Sequence, residues 1–179
     1  MTTPIVFLDT ETTSLDTRLG DVVEVAWAVE DGPVNRLVFP HSLDHADPKA
    51  LEINGYWARD LCTPSRAFTQ LQQHLIQDLT GATVVAENYG FDLAMLNRKL
   101  GFEPWHYRKI ELSSVAMTVF NLERPESMRD TTARLRDRGF DIPAGDHTAV
   151  ADVECLRACY LALRALSDAG CSCGCGVPA

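Results

Sequence analysis

The sequence predicts an α/β fold, and three observations lead to it. The N-terminal part contains three short segments rich in apolar and β-branched residues, 5–8, 22–30 and 35–39, which are typical of buried strands. A fourth such segment, 83–86, lies between segments whose apolar residues recur at helical spacing. A chain of 179 residues, 46% hydrophobic and 23% charged, is long and apolar enough for one domain with a sizeable core. This order of elements indicates a mixed sheet covered by helices.

The remaining elements follow from turn and capping signals. Asp31-Gly32-Pro33 is a hairpin turn signal, so the second and third strands are expected to be antiparallel. Asn88 is a suitable N-cap for a helix that ends before Gly101. A weak fifth strand is predicted over 107–112. Helices are predicted over 65–79, 88–100, 113–120, 127–138 and 148–166, with a short helix interrupted by glycine within 50–59.

Charge and hydropathy narrow the classes of function. The net charge of −9, from 16 basic and 25 acidic residues, argues against tight non-specific binding to duplex nucleic acid, which requires a basic surface. It is compatible with a small single-strand footprint at a metal site, where the metal carries the positive charge. The chain contains no run of about eighteen apolar residues, and its first residues do not form a secretion signal. A cytoplasmic location is therefore expected.

Two carboxylates, Asp9 and Glu11, follow the first predicted strand. Side chains two positions apart on a strand share a face, so these two acids are expected to lie side by side at the strand end. Adjacent half-buried carboxylates repel each other, and a divalent cation removes that repulsion. Hard cations such as magnesium and manganese prefer oxygen ligands of this kind. Taken alone, the pair also fits a strand end with two solvated acids.

Three motifs in order resemble those of the DEDDh 3′–5′ exonucleases, a group that includes proofreading subunits and oligoribonucleases. The first reads FLDTETTSL over residues 7–15, the second NYGFD over 88–92, and the third HTAVAD over 147–152. The resemblance covers nearly the whole chain except its last ten or so residues. It implies a ribonuclease-H-like fold with a five-stranded mixed sheet flanked by helices.

The resemblance also implies a set of catalytic residues. Asp9, Glu11, Asp92 and Asp152 would hold two divalent metal ions, Mg²⁺ or Mn²⁺, with Asp9 shared between them and Asp92 acting more remotely. Taken separately, Asp92 and Asp152 also fit ordinary acids in the first turn of a helix, where the macrodipole favours a negative charge. His147 would be the general base, because a histidine on the loop before a helix can accept a proton from water. By itself it also fits a capping or surface histidine.

Substrate contacts are carried over from the same motifs. Leu15 is placed as an apolar wedge at the terminal bases, and the backbone around Thr10 and Thr12 is placed to hold the 3′-terminal nucleotide. Asn88 and Phe91 of the second motif are further candidate substrate-binding residues. The expected activity is release of nucleoside 5′-monophosphates from single-stranded 3′ ends, with DNA favoured.

Other functions remain open beside this one. RNA trimming of the oligoribonuclease type uses the same motifs, because nothing in them recognises a 2′-hydroxyl. A catalytically silent nucleic-acid-binding module is disfavoured because all five catalytic positions are filled. A subunit docked on a DNA polymerase is a further alternative. The chain ends soon after its last predicted helix, which favours a stand-alone enzyme.

Two positions depart from the family pattern. Ser14 stands where the first motif usually has glycine, and a positive φ there would carry a steric cost. Glu87 stands where many members have histidine, which places an extra carboxylate near the site.

A single exonuclease domain is predicted over 1–168, followed by a flexible Gly- and Cys-rich tail over 169–179. The tail carries Cys171, Cys173 and Cys175. Their spacing differs from that of the usual zinc sites, which have four ligands.

Overall fold

A five-stranded mixed sheet with helices on both faces forms the protein. The structure is a computed structural model, and it describes residues 3–171. The strand order is β3-β2-β1-β4-β5. β1 pairs antiparallel with β2 and parallel with β4, β2 pairs antiparallel with β3, and β4 pairs parallel with β5. The strands are β1 (Ile5–Thr12), β2 (Val22–Val29), β3 (Asn35–Val38), β4 (Thr83–Ala86) and β5 (Lys109–Glu111). The helices are α1 (Pro48–Ile53), α2 (Phe68–Leu79), α3 (Tyr89–Leu100), α4 (Leu112–Phe120), α5 (Met128–Arg136) and α6 (Ala149–Cys171).

The two faces of β1 are buried in two different cores, and this alternation positions the site. Phe7 packs in a core formed with α4, α5 and α6, whereas Val6 and Leu8 pack in a core formed with α2 and α3. Because successive strand side chains point to opposite faces, Asp9 continues the face of Phe7 and Thr10 continues the face of Leu8. The sheet therefore directs Asp9 and Glu11 toward α6 and Thr10 toward α3.

Several element boundaries follow the predicted capping signals. The Asn88 side chain accepts a hydrogen bond from the backbone N–H of Phe91, and Gly101 ends α3 with a φ of 82°. Ser127 likewise accepts a hydrogen bond from the backbone N–H of Asp130 at the start of α5. These signals are local, and the sequence predicts them well.

α2 and α4 begin at positions other than those predicted. α2 begins at Phe68, because Ser65 pairs with the edge strand β3 and accepts a hydrogen bond from the backbone N–H of Val38 at 3.0 Å. α4 begins at Leu112, directly after β5, so neither Ser113 nor Ser114 is its N-cap.

α6 continues to Cys171, beyond its predicted end at 166, so residues 169–171 of the predicted tail are helical. The rest of that tail, with Cys173 and Cys175, lies outside the described residues. Cys155 and Cys159 of α6 are buried in the core that this helix forms with the sheet. Within residues 3–171, no helix is both long and apolar enough to span a membrane.

Candidate metal and active site

Three carboxylates converge where β1 leaves the sheet. Oxygen atoms of Asp9, Glu11 and Asp152 all lie within 4.8 Å of one another. Asp9 and Glu11 share one face of β1, and Asp152 occupies the first turn of α6, which packs on that face. The predicted pairing of Asp9 with Glu11 is thus present, and a residue about 140 positions later in the chain completes the group. Such a set of oxygens can hold a hard divalent cation.

Asp92 reaches the same strand from the opposite face. It lies in the first turn of α3 and is buried, and its Oδ1 accepts hydrogen bonds from the Thr10 hydroxyl at 2.7 Å and the Thr10 backbone N–H at 3.1 Å. Both donors of Thr10 are therefore used within the protein. These two hydrogen bonds orient Asp92, and a contact of Thr10 with the terminal nucleotide stays a prediction.

Burial raises the pKa of all four acids, and neighbouring carboxylates add to the rise. Burial, followed by the neighbouring charge of Asp92, holds the pKa of Asp9 well above its usual range. Burial also raises the pKa of Glu11 to about 8, with a further contribution from Asp152, while the nearby Arg59 opposes that rise. The pKa of Asp92 rises to about 7 through burial, against the lowering effect of its two hydrogen bonds from Thr10. Burial raises the pKa of Asp152 as well. A cation bound among these oxygens would reverse the same shifts.

His147 lies on the loop before α6, as predicted, and its side chain is exposed. Its φ of 62° places it in the left-handed region, which is uncommon for a residue with a side chain and often marks functional sites. Its charge and its backbone hydrogen bond both lower the pKa of Asp152, so the residue lies beside that carboxylate. His147 and Asp152 line one cavity of about 530 Å³, which leaves room for a substrate group next to the histidine.

Gly145 allows this loop to approach α6 closely. A Cβ atom at residue 145 would overlap Oδ1 of Asp152, so a side chain there would displace the carboxylate. The reason for glycine at this position is therefore the space that Asp152 needs.

Glu87 is the extra carboxylate that the sequence placed near the site. Its Oε1 accepts a hydrogen bond from the backbone N–H of Met128 at 2.7 Å, so it helps to satisfy the N-terminus of α5. It also raises the pKa values of Asp9, Asp92 and Asp152. Glu87 thus adds negative charge to the cluster while its position is fixed by a helix end.

The loop after β1 exposes Leu15. Its side chain is 77% exposed, which leaves it available for the predicted contact with terminal bases. The loop is closed below it by hydrogen bonds between Thr13 and Asp21, at 2.9 Å between backbone atoms and 2.8 Å to the Thr13 hydroxyl. Ser14 does not have a positive φ, so the steric cost considered for serine there does not arise.

Three further predicted substrate residues are held by the protein in different ways. The Thr12 hydroxyl donates a hydrogen bond to the carbonyl of Ser14 at 3.0 Å, and Asn88 is exposed at the start of α3. Phe91 is half-buried against the core between the sheet and α3. Contacts of these residues with a nucleotide stay predictions.

Two charged residues beside the site were missed by the sequence reasoning. Glu24 lies in β2 directly opposite Glu11 and is wholly buried. Arg59 forms an ion pair with Glu24. The available signal was the single charged residue within the apolar segment VVEVAWAV, because a buried carboxylate requires a partner.

Comparisons with known proteins place this arrangement in context. No family model matches the sequence, and no curated protein is similar to it. Among solved structures, exonuclease I matches 94% of the chain with a TM-score of 0.71 at 17% identity. The chain shares its fold with exonuclease I. The ribonuclease-H-like fold expected from the three motifs is thereby confirmed.

Two other structures extend the comparison. *E. coli* exonuclease I in complex with a dA16 oligonucleotide matches 94% of the chain with a TM-score of 0.66 at 18% identity. The RNase domain of the yeast Pop2 protein matches 92% of the chain with a TM-score of 0.66 at 11% identity. The chain spans 43% of the length of exonuclease I and 78% of that of the Pop2 domain.

Proposed function

We propose that the chain is a divalent-metal-dependent exonuclease that removes nucleotides from the 3′ end of single-stranded nucleic acid. One observation carries this proposal. Asp9 and Glu11 of β1 and Asp152 of α6 are far apart in sequence, yet oxygens of all three lie within 4.8 Å of one another in a fold shared with exonuclease I. A cluster of repelling acids at the end of a central strand destabilises the folded protein, and a bound cation would remove that repulsion.

The chemistry of these side chains fits magnesium or manganese. Carboxylate oxygens are the ligands that both ions prefer, and the four acids carry raised pKa values that a divalent charge would reverse. Asp9, Glu11 and Asp152 would hold one ion directly, Asp9 would also contact a second, and Asp92 would support that second position. Bound there, the ions supply positive charge where phosphodiester cleavage develops negative charge.

Three residues of the chain would accept the proton, contact the substrate and keep the site in position. His147, exposed beside Asp152 on the wall of the cavity, would accept the proton of the attacking water, which is the task of a general base. Leu15, exposed on the loop after β1, would contact the terminal bases. Asp92, oriented by both donors of Thr10, would keep a fixed position while the substrate binds.

Single-stranded DNA is the substrate class that we favour. The matched *E. coli* exonuclease I was solved with a dA16 oligonucleotide, and the net charge of −9 disfavours duplex binding. The Pop2 RNase domain, which matches with a TM-score of 0.66, supports RNA as the second candidate. The products would be nucleoside 5′-monophosphates in either case.

The deciding experiment follows the degradation of 5′-labelled single strands of DNA and of RNA with the same sequence. Manganese, magnesium or a chelator is added, and a circular DNA strand tests whether a free end is needed. We expect a ladder that shortens from the 3′ end, only with metal and only on linear substrate. A primer–template with a 3′ mismatch in the same assay tests a proofreading role.

Active-site variants make the test specific. Asp9→Ala and Asp152→Ala should abolish cleavage, since each removes a metal-binding carboxylate. Asp168→Ala provides the matched control, because it makes the same change at an exposed position of α6. Substantial turnover by either active-site variant, or cleavage of the circular strand, would contradict the proposal.

A further inference from the structure

A buried ion pair lies beside Glu11, on the same face of the sheet. Glu24 of β2 is opposite Glu11 in the β1–β2 ladder, and its side chain is 0% exposed. A buried carboxylate is costly unless it is paired. Arg36 donates to Oε1 of Glu24, and Arg59 donates to Oε2, so both oxygens are engaged.

Arg59 differs from Arg36 because it also connects to the end of β1. Its Nη1 donates to the carbonyl of Asn54 at 2.8 Å, and the Asn54 side-chain amide donates to the carbonyl of Thr12 at 3.2 Å. The register of β1 against β2 shifts between Glu11 and Thr12. Such irregularities redirect side chains and leave backbone groups without ladder partners. Asn54 supplies the partner for the Thr12 carbonyl at this point.

The loop after α1 is shaped around the Arg59 side chain. Gly55 has a φ of 63°, and a Cβ atom there would lie 3.1 Å from Cδ of Arg59. The Arg59 side chain is 21% exposed, compared with 42% for Arg36. Arg59 is also the positive group that opposes the rise in the pKa of Glu11, which places its charge near that carboxylate.

We propose that Arg59 is a positioning residue for the metal-binding carboxylates: its guanidinium neutralises the buried charge of Glu24 and, through Asn54, fixes the end of β1 that carries Glu11. This inference rests on the proposed function, because the positioning matters where the carboxylates hold a cation. Arginine suits the task since its planar group donates to Glu24 and Asn54 at once, in a geometry that the single ammonium of lysine does not reproduce.

Removal of the arginine has a defined consequence. Without Arg59, Glu24 would keep only Arg36 as a partner for its charge opposite Glu11, and the end of β1 would lose its connection to the α1 loop. Removal of a side chain that holds metal ligands in position, without itself touching the metal, typically lowers metal affinity by about 10–100-fold. A second substitution that also removes the charge of Glu24 should relieve the repulsion and restore much of that affinity.

The test measures Mn²⁺ binding by calorimetry, with far-UV circular dichroism as the check on folding. Arg59→Met should weaken binding at least tenfold, and the double variant Arg59→Met/Glu24→Gln should recover most of the loss. Arg36→Met is the matched control, since it removes the other arginine on Glu24 without touching Asn54, and it should change binding less than threefold.

The possible outcomes distinguish a failure of the positioning role from a failure of the proposed function. Wild-type affinity in folded Arg59→Met, or no recovery in the double variant, would overturn the positioning role. If Arg59→Met does not fold, Arg59→Lys is measured instead. Wild-type affinity in that variant would contradict the need for a side chain that donates to both Glu24 and Asn54. Mn²⁺ binding by the wild type without nuclease turnover would overturn the proposed function alone, whereas no Mn²⁺ binding at all would overturn both.

Discussion

Substitution of Glu11 by glutamine should stabilise the metal-free protein, and the size of the effect follows from the site. Burial and the neighbouring acids raise the pKa of Glu11 from 4.5 to about 8. One pKa unit corresponds to about 1.4 kcal/mol. Over the three pH units from 5 to 8, the raised pKa should therefore lower the free energy of unfolding of the wild type by about 4 kcal/mol, and Glu11→Gln should avoid this loss.

The sign follows from which state holds the proton. Over the window from 4.5 to about 8, folded Glu11 is protonated while the unfolded chain has released that proton. The unfolded state therefore binds fewer protons, and the free energy of unfolding falls as pH rises through the window. Below pH 4.5 the carboxyl is protonated in both states, and its cost disappears. Wild type and Glu11→Gln should thus be similar near pH 4.5 and diverge toward pH 8.

Urea unfolding in a chelator, at several pH values from 5 to 8, measures the difference. Glu154→Gln is the control, because Glu154 is an exposed acid on α6 and should follow the wild type. Saturating Mn²⁺ should stabilise the wild type at pH 8, by about 2.7 kcal/mol at a hundred times its Kd, and should stabilise Glu11→Gln less. Parallel pH curves for wild type and Glu11→Gln, or equal stabilisation of both by Mn²⁺, would refute the electrostatic account of the site.

Three further predictions test neighbouring residues. His147→Gly should lower kcat by about 10²–10⁴-fold without lowering the Tm, because glycine adopts the φ of 62° without strain; a matching fall in Tm would argue for a structural role. Thr10→Val removes the 2.7 Å hydrogen bond to Asp92 and should lower the free energy of unfolding in urea by about 1–3 kcal/mol. The loss should be larger at pH 8.5 than at pH 5.5, because that bond favours the ionised carboxylate of Asp92. Gly145→Ala should weaken Mn²⁺ binding in calorimetry, since its Cβ would displace the Asp152 carboxylate; unchanged affinity would show that the loop shifts freely.

The features that local periodicity controls were predictable from the sequence. The pairing of Asp9 with Glu11 follows from the two-residue repeat of a strand, and the structure places both on the face that meets α6. The caps of α3 at Asn88 and Gly101 follow from residue type. Asp152 could be grouped with the first two acids only through the three-motif resemblance, because nothing local connects residues so far apart.

The features that depend on long-range pairing were not predictable in the same way. The sequence predicts that Ser65 begins a helix, but its hydroxyl instead accepts a hydrogen bond from the edge strand β3. Arg59 lies in the turns that follow α1, and only the fold brings it to Glu24, 35 positions earlier in the chain. The hydrogen bond from Thr10 to Asp92 joins residues 82 positions apart, and no local pattern indicates it. In each case the sheet brings together partners that are distant in sequence.

The same geometry links the stability of the protein to its affinity for metal. β1 presents acids on one face and threonines on the other, so helices from both sides of the sheet bring carboxylates to a single strand end. Thr10, Arg59 and the backbone of His147 each offset part of the resulting repulsion. A substitution that removes one of the clustered acids should therefore stabilise the metal-free fold and weaken cation binding together. A substitution that removes one of the offsetting groups should lower both. Measurement of the two quantities on the same variants separates acids that bind metal from residues that only support them.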